Sequence, residues 1–330
     1  KNTIMRLGLI GLGRFSQQQH TPSLLKCQEE FSELEIIACD LSAETRQAWS
    51  EMFGLTPGTM THTELIASGQ LDAAYVLVPP THCSKTVLPF LEAKIPVFTE
   101  KPPGLNSTET QQLADAAGDL PHAVGFNRRF SPLLQKLKAM VDEHDSEPTA
   151  ILCEFYRTAR YDADFATTLI HGIDALRYLG GDVAAFSVDV LQRDGKEPFR
   201  HMALSGTFCK GPLLQMAVMP VSGRAVERYK IICEDKTFEA RLPLPALADS
   251  GEIRIYEEGK LARLINEEEL GIAGAPLFEL SGFYAQARHF LQGLKTGTSL
   301  GTSLAGSVES VAIADFLRHA TGHQTWNRET

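Results

Sequence analysis

The 330-residue chain is 43% hydrophobic and 22% charged, close to the soluble globular average, which excludes a disordered chain, a collagen-like repeat and a heptad fibre. Its 31 Lys and Arg against 41 Asp and Glu leave a formal charge of −10. Such a surface repels phosphate backbones and anionic lipid, so neither nucleic acid nor membrane is an expected partner.

In chain order, residues 4–10 form an apolar run ending at glycines, the pattern of a buried parallel strand. A helical stretch follows to about residue 30. Residues 34–39 are a second apolar run closed by Asp40, and residues 42–53 read as a helix capped by Ser42. A helical turn is expected at 63–68, a strand at 71–78, a helix at 82–93, a strand at 96–99, a helix at 108–117 and a strand at 122–125. Strands separated by such helices define βαβ units and a doubly wound parallel sheet, whose ligands sit at the carboxyl ends of the strands.

Beyond residue 125 the texture changes. A helix at 132–143 and a polar connector precede strands at 150–156, 186–192, 202–209, 213–220, 228–233, 237–242 and 252–256. One helix, 170–179, interrupts the series, and helices at 283–293 and 304–320 close the chain. This reads as an open, mostly antiparallel sheet with helices on one face. The expected fold is thus a Rossmann domain over residues 1–122 and an α+β domain over 123–330 that binds substrate and dimerises. Cys27, Cys39, Cys83, Cys153, Cys209 and Cys233 are scattered, with no C-x-x-C pair and no zinc spacing. No metal site is expected, and buried thiols suit a reducing compartment. No apolar stretch approaches the roughly 18 residues that span a bilayer, and the chain runs directly into a strand without a leader. A cytoplasmic protein is expected.

Gly11 and Gly13 fill the first two positions of G-x-G-x-x-G, with Ser16 in the third. They sit where the first strand meets the first helix, the context in which such a loop lets a pyrophosphate approach the backbone. Asp40 follows the second strand, 29 residues after Gly11, longer than the usual ~20. A carboxylate there accepts from both ribose hydroxyls of NAD and repels the extra phosphate of NADP. Arg14 and Arg46 keep NADP open as the alternative. The competing interpretation is a glycine turn that only packs helix on strand. Further on, Thr99-Glu100-Lys101-Pro102-Pro103 follows a strand, so Lys101 points into the ligand crevice. Beside a cationic nicotinamide its pKa is expected to fall, which suits it to polarise or deprotonate a substrate hydroxyl. His171 and Asp174 share one face of their helix at i, i+3.

These segments, with VPPTHC at 78–83, FTEKPPG at 98–104, VGFNRRFSP at 124–132, IHGIDALRYLGG at 170–181 and GFYAQARHFLQGLKTG at 282–297, resemble the Gfo/Idh/MocA family of glucose–fructose oxidoreductase and inositol dehydrogenase over nearly the whole chain. The resemblance implies NAD or NADP held by Gly11, Gly13, Arg14, Phe15, Asp40, Pro79, His82, Glu100, Lys101 and Asn127. It implies a substrate met by Lys101, Arg128, Arg157, Thr167, Thr168 and His171, with Lys101 and His171 exchanging the hydroxyl proton and Asp174 a structural acid. Asn127 is expected after a sixth strand. Arginines 128, 129, 157 and 160 suit a carboxylate or phosphate, or else ordinary salt bridges. Two departures stand out. Many relatives carry Asp four residues before the histidine, where this chain has Thr167, so Asp164 is a candidate substitute. Many also place His where this chain has Cys83.

The expected activity is hydride transfer between nicotinamide and a sugar, cyclitol or sugar derivative by a homodimer or homotetramer. The alternatives are a lyase or glycosidase working through transient oxidation, and a non-catalytic binding homologue, for which Thr167 is the motive.

Overall fold

Apolar runs that alternate with helix-forming stretches become strands and crossover helices in the computed structural model, which describes residues 5–162, 164–195, 198–244, 251–298 and 301–328. In chain order the elements are β1 (Met5–Ile10), a π-helical turn (Ser16–His20) running into α1 (Thr21–Cys27), β2 (Leu34–Cys39), α2 (Ala43–Phe53), α3 (His62–Ala67), β3 (Ala73–Val76), α4 (Pro80–Glu92), β4 (Val97–Thr99), α5 (Ser107–Ala117) and β5 (His122–Val124). A 3-10 turn (Asn127–Phe130) leads to α6 (Pro132–Asp142), β6 (Ala150–Tyr156), α7 (Ala166–Gly180), β7 (Val183–Arg193), β8 (Phe199–Phe208), β9 (Leu213–Met219), β10 (Val226–Ile232), β11 (Lys236–Arg241), β12 (Glu252–Glu257) and β13 (Lys260–Asn266). The chain ends with α8 (Leu277–Leu280), α9 (Phe283–Thr296), α10 (Leu304–His319) and β14 (His323–Asn327).

Two compact units divide the chain. One is Lys1–Asn127 with Gly282–Val311, the other Arg128–Ser281 with Ala312–Thr330. The single division expected after residue 122 is therefore replaced by a discontinuous one. Its cause is α9, whose Ala287, Phe290 and Leu291 belong to the same buried cluster as Leu7, Leu24, Tyr75 and Phe98.

The first unit is built on a five-stranded sheet in the order β2-β1-β3-β4-β5, every pair parallel. The strand ahead of Asn127 is thus the fifth and not a sixth. All residues of β3, β4 and β5 are buried, as expected for strands covered by helices on both faces. Tyr75 and Phe98 stack at 3.9 Å between adjacent strands. Ser42 caps α2 by accepting from Thr45 N, as expected. Helix α4 starts at Pro80, earlier than expected, because proline lacks the N–H that a first turn leaves unused.

The second unit carries a nine-stranded sheet, β13-β12-β11-β10-β6-β9-β8-β7-β14. β6 and β9 run parallel, and the other pairs are antiparallel. β6 alternates buried and half-buried residues, so one face is packed and the other more open. The more open face carries charge: Arg228 on β10 lies 3.1 Å from Glu154 on β6 and 3.6 Å from Glu239 on β11, a cross-strand arrangement that steadies register. β13 and β14 were not expected. Both are mostly exposed edge strands and lack the apolar alternation that marks a strand. Trp326 gives β14 its grip by stacking on Phe186 of β7 at 5.4 Å.

Candidate cofactor and catalytic site

Sheet register sets the geometry of the first unit's site. Cys39, Ile10, Val76, Thr99 and Val124 are mutual neighbours across the five strands. The ladder continues one step further through Gly11 N to Cys39 O, Leu77 N to Ile10 O, Glu100 N to Val76 O and Gly125 N to Thr99 O. Asp40, Gly11, Leu77, Glu100 and Gly125 therefore form one row just past the carboxyl ends of β2, β1, β3, β4 and β5. Asp40 and Glu100-Lys101 are separated by three strand spacings, roughly 14 Å at about 4.8 Å each. An extended dinucleotide bridges such a span along a sheet edge.

The glycine loop fits that use. Gly11 has φ +96°, and a Cβ there would lie 2.6 Å from Leu77 O, so the fold itself demands glycine. At Gly13 a Cβ would meet no heavy atom within 4 Å. Packing does not demand this glycine, whereas close approach of a pyrophosphate does. Ser16 is buried with its hydroxyl 3.2 Å from Thr21 Oγ1 and so serves packing. Asp40 reaches the loop despite its long spacing: Oδ2 accepts from Leu12 N at 2.9 Å and Oδ1 from Ser42 N at 2.8 Å. Each oxygen keeps a further lone pair for a ribose hydroxyl. Arg46 donates to the Asp40 carbonyl at 2.8 Å. Arg14 is exposed, and Phe15 is 45% exposed with its ring edge against Phe283.

At the end of β4, Glu100 is buried and its Oε2 accepts from the Lys101 amide at 3.3 Å. Lys101 is half-buried, and the Lys101–Pro102 bond is cis. Glu100 Oε1 stands 3.0 Å from Nε2 of His20, a fully buried histidine that the sequence pattern did not single out. Its only sequence signal is a position nine residues beyond Gly11 on the helical stretch. Pro79 precedes the first turn of α4, and His82 is exposed on that turn. Cys83 is a buried thiol 2.9 Å from Thr99 Oγ1, and burial pushes its pKa up to about 12. It does not imitate the histidine it replaces. Asn127 is fully buried.

In the second unit, Arg128 and Arg157 have a partner of their own. Arg128 grips Glu227 at 3.0 and 3.2 Å, and Arg157 Nη2 donates to it at 2.6 Å. Tyr229 OH donates to the same carboxylate at 3.0 Å. Burial alone would raise the Glu227 pKa, but the two guanidinium groups overcome it and hold the value at about 2. Arg129 binds Asp174 in a two-pronged contact of 2.7 and 2.6 Å, so Asp174 anchors its helix as a structural acid. His171 lies three residues earlier on α7 and is 7% exposed. Thr167 donates to the Asp164 carbonyl at 3.0 Å, and Thr168 accepts from Arg160 at 3.1 Å. The Asp164 carboxylate, part-exposed, accepts from Arg318 at 3.0 Å. All six cysteines are free, with Cys209 exposed and the other five buried. No described helix is long and apolar enough to cross a membrane.

A parallel sheet with a glycine loop at β1, an acid at the end of β2 and a lysine at the end of β4 defines an NAD-binding Rossmann oxidoreductase. Residues 5–127 match the family model described as "Oxidoreductase family, NAD-binding Rossmann fold". An inositol 2-dehydrogenase from Pseudomonas syringae is 26% identical over 341 residues, covering 94% of this chain and 92% of the relative. The fold is shared with a dehydrogenase from Clostridium difficile (TM-score 0.79, 19% identity, 96% and 99% coverage). It is also shared with levoglucosan dehydrogenase in complex with NADH and L-sorbose (TM-score 0.78, 16% identity, 95% of each chain).

Proposed function

We propose that the protein oxidises a hydroxyl of a sugar- or cyclitol-type small molecule with NAD as the redox partner, Lys101 and His171 handling the hydroxyl proton. The observation that carries the reading is the single row Asp40–Gly11–Leu77–Glu100, which leads from the acid at β2 to Lys101 at β4 along one sheet edge. The cofactor supplies the hydride acceptor; the chain supplies binding and proton control. Gly11, Gly13, Arg14, Phe15 and Asp40 hold the adenosine and pyrophosphate half. Pro79, His82, Glu100, Lys101 and Asn127 hold the nicotinamide half. Asp40 favours NAD over NADP, since a 2′-phosphate beside a carboxylate is repelled. Lys101 orients and polarises the substrate hydroxyl, and His171 takes its proton. Thr167 and Thr168 add hydroxyl contacts. Arg128 and Arg157 bring two positive charges against the one negative charge of Glu227, a surplus that favours an anionic substituent on the substrate. Assembly as a homodimer or homotetramer in the cytoplasm completes the reading.

The test is to supply NAD+ with myo-inositol and then with a panel of polyols and sugars, following reduced nicotinamide. Net reduction is expected for at least one. Lys101→Met and His171→Gln should each lower kcat by about 10²–10⁴-fold, the usual contribution of a positioned acid or base. Product formed without net reduction points to a transient-oxidation lyase or glycosidase. Unchanged kcat in both variants overturns the assigned roles.

A further inference from the structure

His20 closes the π-helical turn that follows the glycine loop, and it is fully buried. Its Nδ1 lies 3.1 Å from Tyr75 OH and its Nε2 3.0 Å from Glu100 Oε1. Burial pushes the Tyr75 phenol well above its ordinary range, so the hydroxyl stays neutral and has a proton to donate. With Tyr75 donating to Nδ1, the ring hydrogen sits on Nε2, which faces Glu100 Oε1 at 3.0 Å as a close polar contact without hydrogen-bond geometry. A buried carboxylate is costly without polar neighbours. Glu100 turns its other oxygen to the Lys101 amide. The neighbouring strand end accommodates the carboxylate only because residue 125 is glycine, where a Cβ would stand 2.4 Å from Glu100 Oε1.

We propose that His20 is a positioning residue for Lys101, acting through Glu100: the imidazole fixes the carboxylate, and the carboxylate fixes the peptide from which the Lys101 ammonium projects. Tyr75 on β3, His20 beyond β1 and Glu100 beyond β4 thereby link the glycine loop to the lysine within one unit. The inference rests on the reading of Lys101 as the proton-handling group.

Its test therefore has a readout that needs no substrate: trace acetylation with acetic anhydride, resolved lysine by lysine by mass spectrometry. His20→Gln keeps an amide N–H near the position of Nε2, whereas His20→Asn places its amide near Nδ1 and leaves no N–H facing Glu100 Oε1. In His20→Asn, and likewise in Glu100→Gln, the Lys101 labelling rate should shift by roughly tenfold relative to the other lysines, the change in free amine that one pKa unit gives. His20→Gln should return it to near the wild-type rate. Tyr75→Phe, which removes a single hydroxyl, is the milder variant if His20→Asn does not fold, and should shift Lys101 in the same direction. With myo-inositol and NAD+, His20→Asn should lose kcat while KM for NAD+ is kept. Lys101 labelling that is unchanged, or changed equally by Asn and Gln, overturns the proposal. Expected labelling in a protein that turns over no polyol overturns the proposed reaction instead and leaves the positioning role standing.

Discussion

Gly11 and Gly13 stand two residues apart and do opposite jobs, and the distinction can be measured. A methyl group at Gly11 combines a left-handed backbone with a 2.6 Å approach to Leu77 O, so Gly11→Ala must strain or move the end of β3. That should cost about 1–3 kcal/mol and lower Tm, whether or not nucleotide is present. A methyl at Gly13 meets no protein atom, so Gly13→Ala should leave the Tm of the free protein unchanged. It should weaken NAD by about tenfold, or about 1.4 kcal/mol, by occupying space the pyrophosphate needs. Calorimetric melting together with NAD titration separates the two. Equal loss of stability in both variants would show that Gly13 serves the fold. The glycine pattern was readable from the sequence because it is local. His20 was not, because its meaning comes from Tyr75 and Glu100, which reach it from β3 and the end of β4.

At the scale of elements, the arginine-clamped Glu227 joins β10 to the end of β6 and to the 3-10 turn. Its folded pKa of about 2 lies below the 4.5 of an ordinary glutamate, so the unfolded chain binds the extra proton. The sign follows: this stabilisation is fully present above about pH 4.5 and is lost as pH falls toward about 2. Glu227→Gln keeps shape but leaves the buried Arg157 and the part-buried Arg128 without their anion, a change expected to cost about 3–5 kcal/mol at neutral pH. Plotted against pH, wild-type Tm should fall steeply between about 4.5 and 2, and the variant's Tm should be lower and flatter there. Parallel curves would show that Glu227 does not control acid unfolding. The arginines were legible as candidates for anion binding, but their partner was not. Glu227 lies 99 residues from Arg128 and 70 from Arg157, and no pattern in the chain marks a contact across that distance. The βαβ alternation was legible for the converse reason. Each strand and helix declares its own period within about ten residues.

At the scale of the whole molecule, the order of elements along the chain and their membership in a packed unit diverge at α9. Its amphipathic pattern identified it as a helix, but amphipathicity says only that one face must be covered, not by what. Phe290 packs edge-on to Tyr75 at 6.1 Å and Phe98 at 5.8 Å, Arg288 clasps Glu30, and Lys295 pairs with Glu33. The first unit is therefore incomplete at Asn127, because the face of Tyr75, Phe98 and Leu24 that α9 covers would be exposed. A fragment of residues 1–127 should bind a hydrophobic dye and melt without a sharp transition, as loosely packed chains do. Adding a peptide of residues 282–298 should restore near-ultraviolet dichroism and a cooperative melt, with a Phe290→Ala peptide much less effective, since removing a buried Phe side chain costs about 3–5 kcal/mol. A sharp, peptide-independent melt of the short fragment would mean that α9 is a passenger on a unit that closes without it.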